Sequence, residues 1–291
     1  MTLWAVTGGT GLVGRFVVEA CLAQGAEVAV LGRTPPQPGA FSRPVAFRPL
    51  DLDRAGDADL SGCTTLVHAA FDHVPGRYRG GEGGDPDGFR RRNVDGSRAL
   101  FARARAQGVA AAVFLSSRAV YGAYPPGTLL TETLPPRPDT LYGATKLEAE
   151  QGLAALVTPD FAGASLRATG VYGPPGPGQT HKWAGLFAAH LAGQPQPARI
   201  ATELHGADLA TAVRLVAGQS GVWNASDILL DQRDLLALVN ARTGRDLVLP
   251  PPGDPAQVSA MDCAALQALG WRPGGRAALE AAIPALLAAT P

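Results

Sequence analysis

Short apolar runs and helix-spaced apolar positions take turns along the first half of the chain. Continuous apolar runs predict buried strands at 3–6, 27–31, 46–49, 65–69, 111–116 and 164–171. Apolar positions three and four apart predict helices at 15–22, 93–107 and 142–157. Strands that alternate with helices form a parallel sheet covered on both faces, and right-handed crossovers make it doubly wound. We therefore expect an α/β fold of the Rossmann type, with ligands beyond the carboxyl ends of the strands.

The second half of the chain has shorter elements. A proline- and glycine-rich run at 173–178 interrupts the pattern, and short elements are predicted after it at 183–191, 222–224, 232–243, 263–269 and 276–287. These pieces are too small to fold alone, so we expect them to cap the sheet. The predicted division is a dinucleotide-binding domain of residues 1–171 with 199–222, and a discontinuous substrate-binding cap of residues 172–198 with 223–291.

One long segment shows neither pattern. Residues 72–92 are rich in glycine and proline, contain five arginines, and follow the predicted strand at 65–69. This composition is typical of a flexible surface loop. Because the segment lies beside the expected ligand site, a mobile substrate lid is the alternative.

The first predicted strand and helix are joined by Thr7-Gly8-Gly9-Thr10-Gly11-Leu12-Val13-Gly14. A strand, a glycine turn and a helix in this order are the context of a dinucleotide-binding fingerprint. Glycines allow a tight turn and a close approach of the backbone to a pyrophosphate, which then faces the amide groups at the helix N-terminus. Gly9, Gly11 and Gly14 match the general spacing, while Gly8, Gly11 and Gly14 match a spacing of three.

The composition narrows the classes of function. With 291 residues, 46% hydrophobic and 17% charged, the chain is expected to form a compact globular protein. The formal net charge is zero, and no basic cluster is long enough to indicate a nucleic-acid partner. Cys21, Cys63 and Cys263 lack the spacing of a zinc or disulfide motif, so no metal is predicted. The strand near the N-terminus and the lack of a membrane-length apolar run favour a cytoplasmic protein without a membrane partner.

The end of the second predicted strand indicates which nicotinamide cofactor binds. In Rossmann units an acidic residue there binds the ribose hydroxyls of NAD. Here the strand ends in Gly32-Arg33-Thr34. A guanidinium pairs with a 2′-phosphate, so we predict a preference for NADP, with NAD as the alternative and a solvated role for Arg33 as the ordinary explanation. Asp51 and Leu52, after the third strand, are predicted beside the adenine.

Tyr142 and Lys146 lie four residues apart in a predicted helix, so the phenol and the ammonium share one face. A nearby cation lowers the pKa of a tyrosine from about 10 toward neutral pH. Tyr142 is then a general acid/base during hydride transfer, and Lys146 is expected to hold the nicotinamide ribose. Ser117 follows the strand at 111–116 and is expected to hydrogen-bond the substrate oxygen, although a serine there is otherwise a common turn residue.

Taken together, these residues resemble the extended short-chain dehydrogenase/reductases, the NAD(P)-dependent epimerase/dehydratase family, over nearly the whole chain. Besides the segments above, the matching motifs are His68-Ala69-Ala70, Asn93-Val94-Asp95-Gly96, Val120-Tyr121-Gly122, Arg167, Val171-Tyr172-Gly173-Pro174, His205 with Asp208-Leu209-Ala210, and Leu269-Gly270-Trp271 with Pro273. The resemblance implies the triad Ser117, Tyr142 and Lys146, a structural Asn93, and an Arg167 that orders the sheet. The full expected set of cofactor contacts is Gly8, Thr10, Gly11, Leu12, Val13, Gly14, Arg33, Thr34, Asp51, Leu52, Ala69, Ala70, Ser116, Tyr142, Lys146 and Val171.

Departures from the family bear on the substrate. Dehydratases of the family place Asp-Glu directly after the Ser or Thr of the triad, whereas this chain has Arg118 and Ala119, so a sugar 4,6-dehydratase is not expected. Nucleotide-sugar epimerases often carry Asn at the position of Gly170 and an arginine shortly before the His205 motif, and Arg199 lies two residues away from that register. These differences weaken an assignment as a nucleotide-sugar epimerase.

We therefore expect an NAD(P)-dependent oxidoreductase that transfers hydride at a hydroxyl or carbonyl carbon of a small metabolite or sugar derivative. A nucleotide-sugar epimerase with retained NAD is the alternative, and a non-catalytic NADP-sensing regulator is the alternative from another class. A homodimer is predicted through the helices at 93–107 and 142–157, with Phe101 on the shared face.

Overall fold

The computed structural model describes residues 2–74 and 81–291. Its strands are β1 (Leu3–Thr7), β2 (Glu27–Gly32), β3 (Ala46–Pro49), β4 (Thr65–His68), β5 (Ala111–Ser117), β6 (Ala162–Ala168), β7 (Gly170–Tyr172), β8 (Ile200–His205), β9 (Gly221–Ala225) and β10 (Ile228–Asp231). Within the described residues, seven strands form one parallel sheet in the order β3-β2-β1-β4-β5-β6-β9. The predicted Rossmann-type sheet is confirmed.

Helices cover both faces of this sheet. They are α1 (Leu12–Ala23), α2 (Pro86–Arg90), α3 (Gly96–Ala106), α4 (Leu141–Ala154), α5 (Ala184–Leu191), α6 (Gly206–Val216), α7 (Gln232–Thr243), α8 (Ala264–Ala268) and α9 (Gly275–Ala288). On one face α1 and α6 bury side chains such as Val17 and Val213. On the other face α3 and α4 bury Phe101 and Leu153. The wholly buried strands, such as Thr65–His68, explain the continuous apolar runs of the sequence.

A second, smaller sheet has the order β10-β8-β7 and forms a separate core with α5, α7 and α9. Its presence corrects the single strand predicted at 164–171. The chain leaves the large sheet at Thr169, whose hydroxyl lies 2.7 Å from the Thr202 carbonyl of β8. The residues before Thr169 pair with β5 and β9, while those after it pair with β8. Residues 199–222 therefore supply β8 to the small sheet and α6 to the face of the large one.

The glycine- and arginine-rich segment is partly helical. Asp85 accepts a hydrogen bond from the Gly88 amide at 2.9 Å, and Pro86 takes the first helical position. This is a common helix start, so the expected loop ends at residue 85 and the helix predicted from residue 93 begins seven residues earlier. Helix α2 continues through a π turn, Arg91–Asp95, into α3. The expected loop or lid at 72–92 lies partly outside the described residues.

Phe101 corrects part of the dimer prediction. Its ring is buried and lies 5.4 Å from the His68 ring and 5.7 Å from the Phe114 ring, centroid to centroid. It therefore faces the core and is absent from any outer surface of α3. The dimer through α3 and α4 and the division into two domains stay predictions. No helix among the described residues is long and apolar enough to cross a membrane.

Candidate active site

The glycine turn lies at the carboxyl end of β1. Gly8 has φ +64, and a Cβ there would lie 2.8 Å from the Ala70 backbone, so the turn packs directly on the segment after β4. A Cβ at Gly14 would lie 2.3 Å from the Gly8 carbonyl oxygen, whereas a Cβ at Gly9 would point at Val18 and Val30 in the core. Gly8, Gly11 and Gly14 are therefore the set that shapes the turn.

The N-terminus of α1 lies at the glycine turn, where the fingerprint predicts a pyrophosphate. Gly11 is its N-cap residue, and among the described residues no side chain caps it and no acidic residue lies in its first turn. By contrast, Thr140 caps α4 through the Gly143 amide at 3.0 Å, and Asp231 caps α7 through the Arg233 amide at 2.8 Å. The free first-turn amides and the exposed turn fit a pyrophosphate, as the fingerprint predicts.

A buried hydrogen-bond chain fixes the segment beneath the turn. The Ser97 hydroxyl donates to the Asn93 carbonyl at 2.6 Å, so it accepts from His68 Nε2 at 2.9 Å. His68 Nδ1 then accepts from the Thr7 hydroxyl at 2.7 Å, and Thr7 Oγ1 accepts from the Ala70 amide at 3.1 Å. The chain needs a neutral imidazole, because a proton on both nitrogens would leave Thr7 without an acceptor.

We expect this histidine to make the fold sensitive to acid. Burial, helped by the nearby Lys146 charge, lowers the pKa of His68 from 6.5 to about 3. Between these values the unfolded chain binds a proton that the folded chain does not, so stability falls by about 1.4 kcal/mol for each pH unit below 6.5. When the free energy of unfolding is measured in urea, its decrease between pH 7 and pH 5 should be about 2 kcal/mol larger in wild type than in His68→Gln.

The matched control for this prediction is His73→Gln, which changes a solvent-exposed histidine. That variant should lose as much stability as wild type over the same pH range. Equal losses in wild type and His68→Gln would contradict a neutral, buried His68.

The carboxyl end of β5 brings the predicted triad together. Ser117 ends β5, and its Oγ accepts from the Ala119 amide at 3.1 Å while also hydrogen-bonding the phenol of Tyr142. Tyr142 occupies the first turn of α4, which starts at the Thr140 cap. Helix α4 lies so close to the turn after β5 that a Cβ at Gly143 would be 2.4 Å from the Ala119 carbonyl oxygen. The close packing of α4 on the turn after β5 places the phenol of Tyr142 beside Ser117.

Lys146 lies one helical turn further on and is buried. Its Nζ donates to the Leu115 carbonyl at 2.7 Å and lies 5.9 Å from the centroid of the Tyr142 ring. Two more aromatic rings face the ammonium, those of Phe71 at 4.1 Å and Phe114 at 4.7 Å. Phe71 was not among the residues singled out in the sequence, and only its position directly after Ala69-Ala70 could have suggested it.

The pKa of Tyr142 differs from the sequence expectation. Burial raises the pKa of this tyrosine, and the hydrogen bond with Ser117 only partly opposes the effect. Burial also lowers the pKa of Lys146 from 10.5 to about 7, although Glu150 opposes this shift. At neutral pH the lysine is therefore only partly charged, so it does not bring the Tyr142 pKa down as predicted. The phenol is in its protonated, proton-donating form.

Ser116 has its hydrogen-bond partner in α4, one helical turn beyond Lys146. Its hydroxyl donates to the buried carboxylate of Glu150 in α4. Glu150 also pairs with Arg167 of β6, with Nη2 to Oε2 at 2.7 Å and Nε to Oε1 at 3.0 Å. The guanidinium lies 4.8 Å from the centroid of the Tyr121 ring. Ser116 is thus tied into a buried ionic cluster that joins α4 to the sheet, and its contact with the cofactor stays a prediction.

The remaining predicted cofactor residues lie along the same edge. Thr10, Gly11, Arg33, Thr34 and Asp51 are exposed, while Leu12, Val13, Leu52, Ala69, Ala70 and Val171 are half-buried. Asn93 holds the Asp72 backbone with both ends of its amide, accepting from the nitrogen and donating to the oxygen at 2.8 Å each. Gln179 was missed in the sequence. Its side chain donates to the Thr10 carbonyl, so the segment after β7 contacts the glycine turn.

Two charged residues beside the small sheet, Lys182 and Glu203, form an ion pair. Lys182 donates to the buried carboxylate of Glu203 in β8, and the pair fills space that a side chain at Gly170 would need. Arg199 lies just before β8, four residues ahead of Glu203 and so on the same face of the extended chain. His181 is buried, and its Nε2 lies 3.1 Å from the Thr290 hydroxyl. Arg118 donates to the Ser259 carbonyl at 2.9 Å and so connects the turn after β5 to the segment before α8.

Known proteins with similar sequences identify the family of this chain. The sequence profile of the NAD dependent epimerase/dehydratase family matches residues 4–220. The chain belongs to this family. A dTDP-6-deoxy-L-talose 4-dehydrogenase (NAD(P)(+)) of Kitasatospora kifunensis is 31% identical over 267 residues, which cover 88% of this chain and 80% of the relative. A UDP-glucose 4-epimerase of Streptomyces lividans is 33% identical over 54% of this chain and 51% of its own length.

Solved structures of the epimerase/dehydratase family have the same architecture. The UDP-glucose 4-epimerase of Thermus thermophilus, solved in complex with NAD, has a TM-score of 0.78 and 28% identity, with 99% of this chain and 100% of that chain covered. MoeE5, solved with UDP-glucose and NAD, has a TM-score of 0.77 and 25% identity, with 98% of each chain covered. The chain is therefore an enzyme of the NAD(P)-dependent dehydrogenase and epimerase type.

Proposed function

We propose that this enzyme is an NADP(H)-dependent oxidoreductase that reduces or forms a carbonyl group on a small metabolite or sugar derivative. The observation that carries the proposal is the meeting of the Tyr142 phenol, the Ser117 hydroxyl and the Lys146 ammonium at the carboxyl end of β5. This end of the sheet is the same edge at which the uncapped N-terminus of α1 lies. Ligands of doubly wound sheets bind at such an edge.

Tyr142, Ser117 and Lys146 have different roles in the proposed reaction. The nicotinamide, when bound, supplies or accepts the hydride at the substrate carbon. In the reducing direction Tyr142 donates its phenolic proton to the substrate oxygen, and in the oxidising direction it takes the proton back. Ser117 hydrogen-bonds the same oxygen, and Lys146 stabilises the phenolate that the proton transfer leaves. Burial keeps the Tyr142 phenol protonated at neutral pH, which is the form that carbonyl reduction uses.

The relatives and the site support the proposed substrate class. The Kitasatospora relative is a 4-dehydrogenase of dTDP-6-deoxy-L-talose, a nucleotide-linked deoxy sugar, which supports a secondary alcohol or ketone of a sugar derivative as substrate. Arg118 and Ala119 stand where a family dehydratase has its acid/base pair, so water elimination has no support. Incubation with NADPH and a panel of keto sugars should consume one NADPH per carbonyl reduced. Purified protein that carries tightly bound NAD and interconverts sugar epimers without net NADPH use would favour the epimerase instead.

We expect Arg33 to distinguish the two nicotinamide cofactors. It is exposed, directly after β2, where its guanidinium can pair with a 2′-phosphate. Loss of charge-assisted hydrogen bonds in Arg33→Ala should raise the Kd of NADPH about 10- to 100-fold and change the Kd of NADH less than about threefold. Fluorescence titration with both cofactors measures the two constants. Arg242→Ala, an exposed arginine of α7, is the matched control, and equal losses for both cofactors in Arg33→Ala would contradict the assignment.

A further inference from the structure

Phe71 brings the segment after β4 into contact with the proposed triad. It follows Ala69-Ala70 directly, and its half-buried ring meets the Tyr142 ring edge to face at a centroid distance of 5.1 Å. The ring also packs on buried Phe89 at 5.5 Å. A charged neighbour is Lys146, whose Nζ lies 4.1 Å from the ring centroid. Phe71 therefore contacts both titratable members of the triad.

The surroundings of the Lys146 ammonium are unusually apolar for a cation. One carbonyl, that of Leu115, accepts its hydrogen bond at 2.7 Å, and the rings of Phe71, Phe114 and Tyr142 surround it. Among residues 2–74 and 81–291, the titratable groups that interact with it are Tyr142 and Glu150 of α4 and His68 of β4. Glu150 is shared with Arg167, and His68 is held neutral by its hydrogen bonds, so neither compensates the ammonium fully.

We propose that Phe71 is a positioning residue whose ring face keeps the Lys146 ammonium charged beside the Tyr142 phenol. The proposal rests on the function proposed above, since it concerns the same pair. The face of an aromatic ring carries negative electrostatic potential and attracts a desolvated cation at this distance. Phe114 lies deeper in the core, whereas Phe71 comes from the segment that borders the cofactor edge. The ring thus offsets part of the solvation that burial removes.

The variant Phe71→Leu distinguishes the electrostatic role of the ring from mere shielding of the ammonium against water. Leucine keeps the ammonium away from water but offers no π face, so the charged form of Lys146 becomes less favourable. We expect the pKa of Lys146 to fall by about one unit. Because the reductase needs a protonated lysine, the falling limb of its kcat/KM profile should move to lower pH by about the same amount. A ring that served only as packing would change stability and leave both midpoints in place.

The chain offers an unusually clear measurement, because Lys146 and Lys182 are its two lysines. In protein labelled with 13Cε-lysine, the spectrum contains two lysine signals, and Lys182→Arg assigns them. Titration of the protein without substrate then gives the Lys146 midpoint in wild type, Phe71→Leu, Phe71→Tyr and Phe89→Leu. We expect the midpoint to fall in Phe71→Leu, to return to within about 0.3 units of wild type in Phe71→Tyr, and to stay in place in Phe89→Leu.

Three results would overturn the proposal. These are an unchanged midpoint in Phe71→Leu, a raised midpoint in that variant, or an equal fall in Phe89→Leu, which changes a phenylalanine that packs on Phe71. The titration needs no turnover, so it is independent of the proposed reaction. If Tyr142→Phe stayed active, the oxidoreductase mechanism would fail while the titration result stood. If Tyr142→Phe were inactive and the Lys146 midpoint did not move in Phe71→Leu, the proposed role of Phe71 would be wrong while the oxidoreductase mechanism stood.

Discussion

Tyr142→Phe is expected to lower kcat for carbonyl reduction about 10³-fold, in the range that a positioned general acid contributes. The substitution removes the hydroxyl that hydrogen-bonds Ser117 at the end of β5 and keeps the ring that packs on Phe71. Cofactor affinity should stay within about twofold, since the phenol oxygen acts on the substrate oxygen. Steady-state turnover with NADPH and fluorescence titration of the cofactor measure the two effects.

Tyr124→Phe is the matched control for this substitution. It also removes a phenolic hydroxyl, which there donates to the Pro135 carbonyl at 2.6 Å in an exposed loop. Its kcat should equal that of wild type. Turnover in Tyr142→Phe comparable to that of Tyr124→Phe would remove Tyr142 from the chemistry.

Glu150→Ala is expected to destabilise the fold by about 3–5 kcal/mol. The carboxylate is buried, pairs twice with Arg167 and accepts from Ser116, so its removal leaves a guanidinium inside the protein without compensation. One guanidinium nitrogen of Arg167, Nη1, already lacks a hydrogen-bond partner among the described residues. Loss of the Glu150 carboxylate would therefore leave more of the buried guanidinium without hydrogen bonds. Urea unfolding monitored by circular dichroism measures the loss.

Two further variants make this result specific. Glu148→Ala removes a carboxylate two residues away on the same helix, where it pairs with the half-exposed Arg90, and should cost less than about 1 kcal/mol. The double variant Glu150→Leu with Arg167→Met removes both charges and should recover most of the loss. A double variant as unstable as Glu150→Ala would show that the lost packing, and not the unpaired charge, causes the effect.

The sequence predicted those parts of the site that depend on residues only a few positions apart. The glycine turn follows a buried strand and precedes a helix, and Tyr142 and Lys146 share a helix face at four residues' separation. The order of strands and helices predicted the parallel sheet, and its carboxyl edge predicted that Ser117 would lie near both. For these features, the chain carries the information within short stretches of sequence.

The parts that were missed depend on contacts between distant residues. The small sheet joins three short strands that are far apart in sequence, so the predicted strand at 164–171 gave no sign of its break at Thr169. The partner of Ser116 is Glu150, 34 residues away. Burial of Tyr142 and Lys146 reverses the expected direction of the tyrosine pKa, and burial is a tertiary property. Only α2 had a local signal, the Asp85-Pro86 pair, that a closer inspection of the sequence could have used.

The most direct test of the account is a crystal structure of the protein with NADP⁺ bound. We predict that the pyrophosphate lies on the first-turn amides of α1, that Lys146 Nζ lies within about 3.2 Å of a ribose hydroxyl, and that the nicotinamide C4 faces the Tyr142 hydroxyl across a gap that fits one substrate carbon. A nicotinamide ring out of reach of Tyr142, Ser117 and Lys146 would contradict the account.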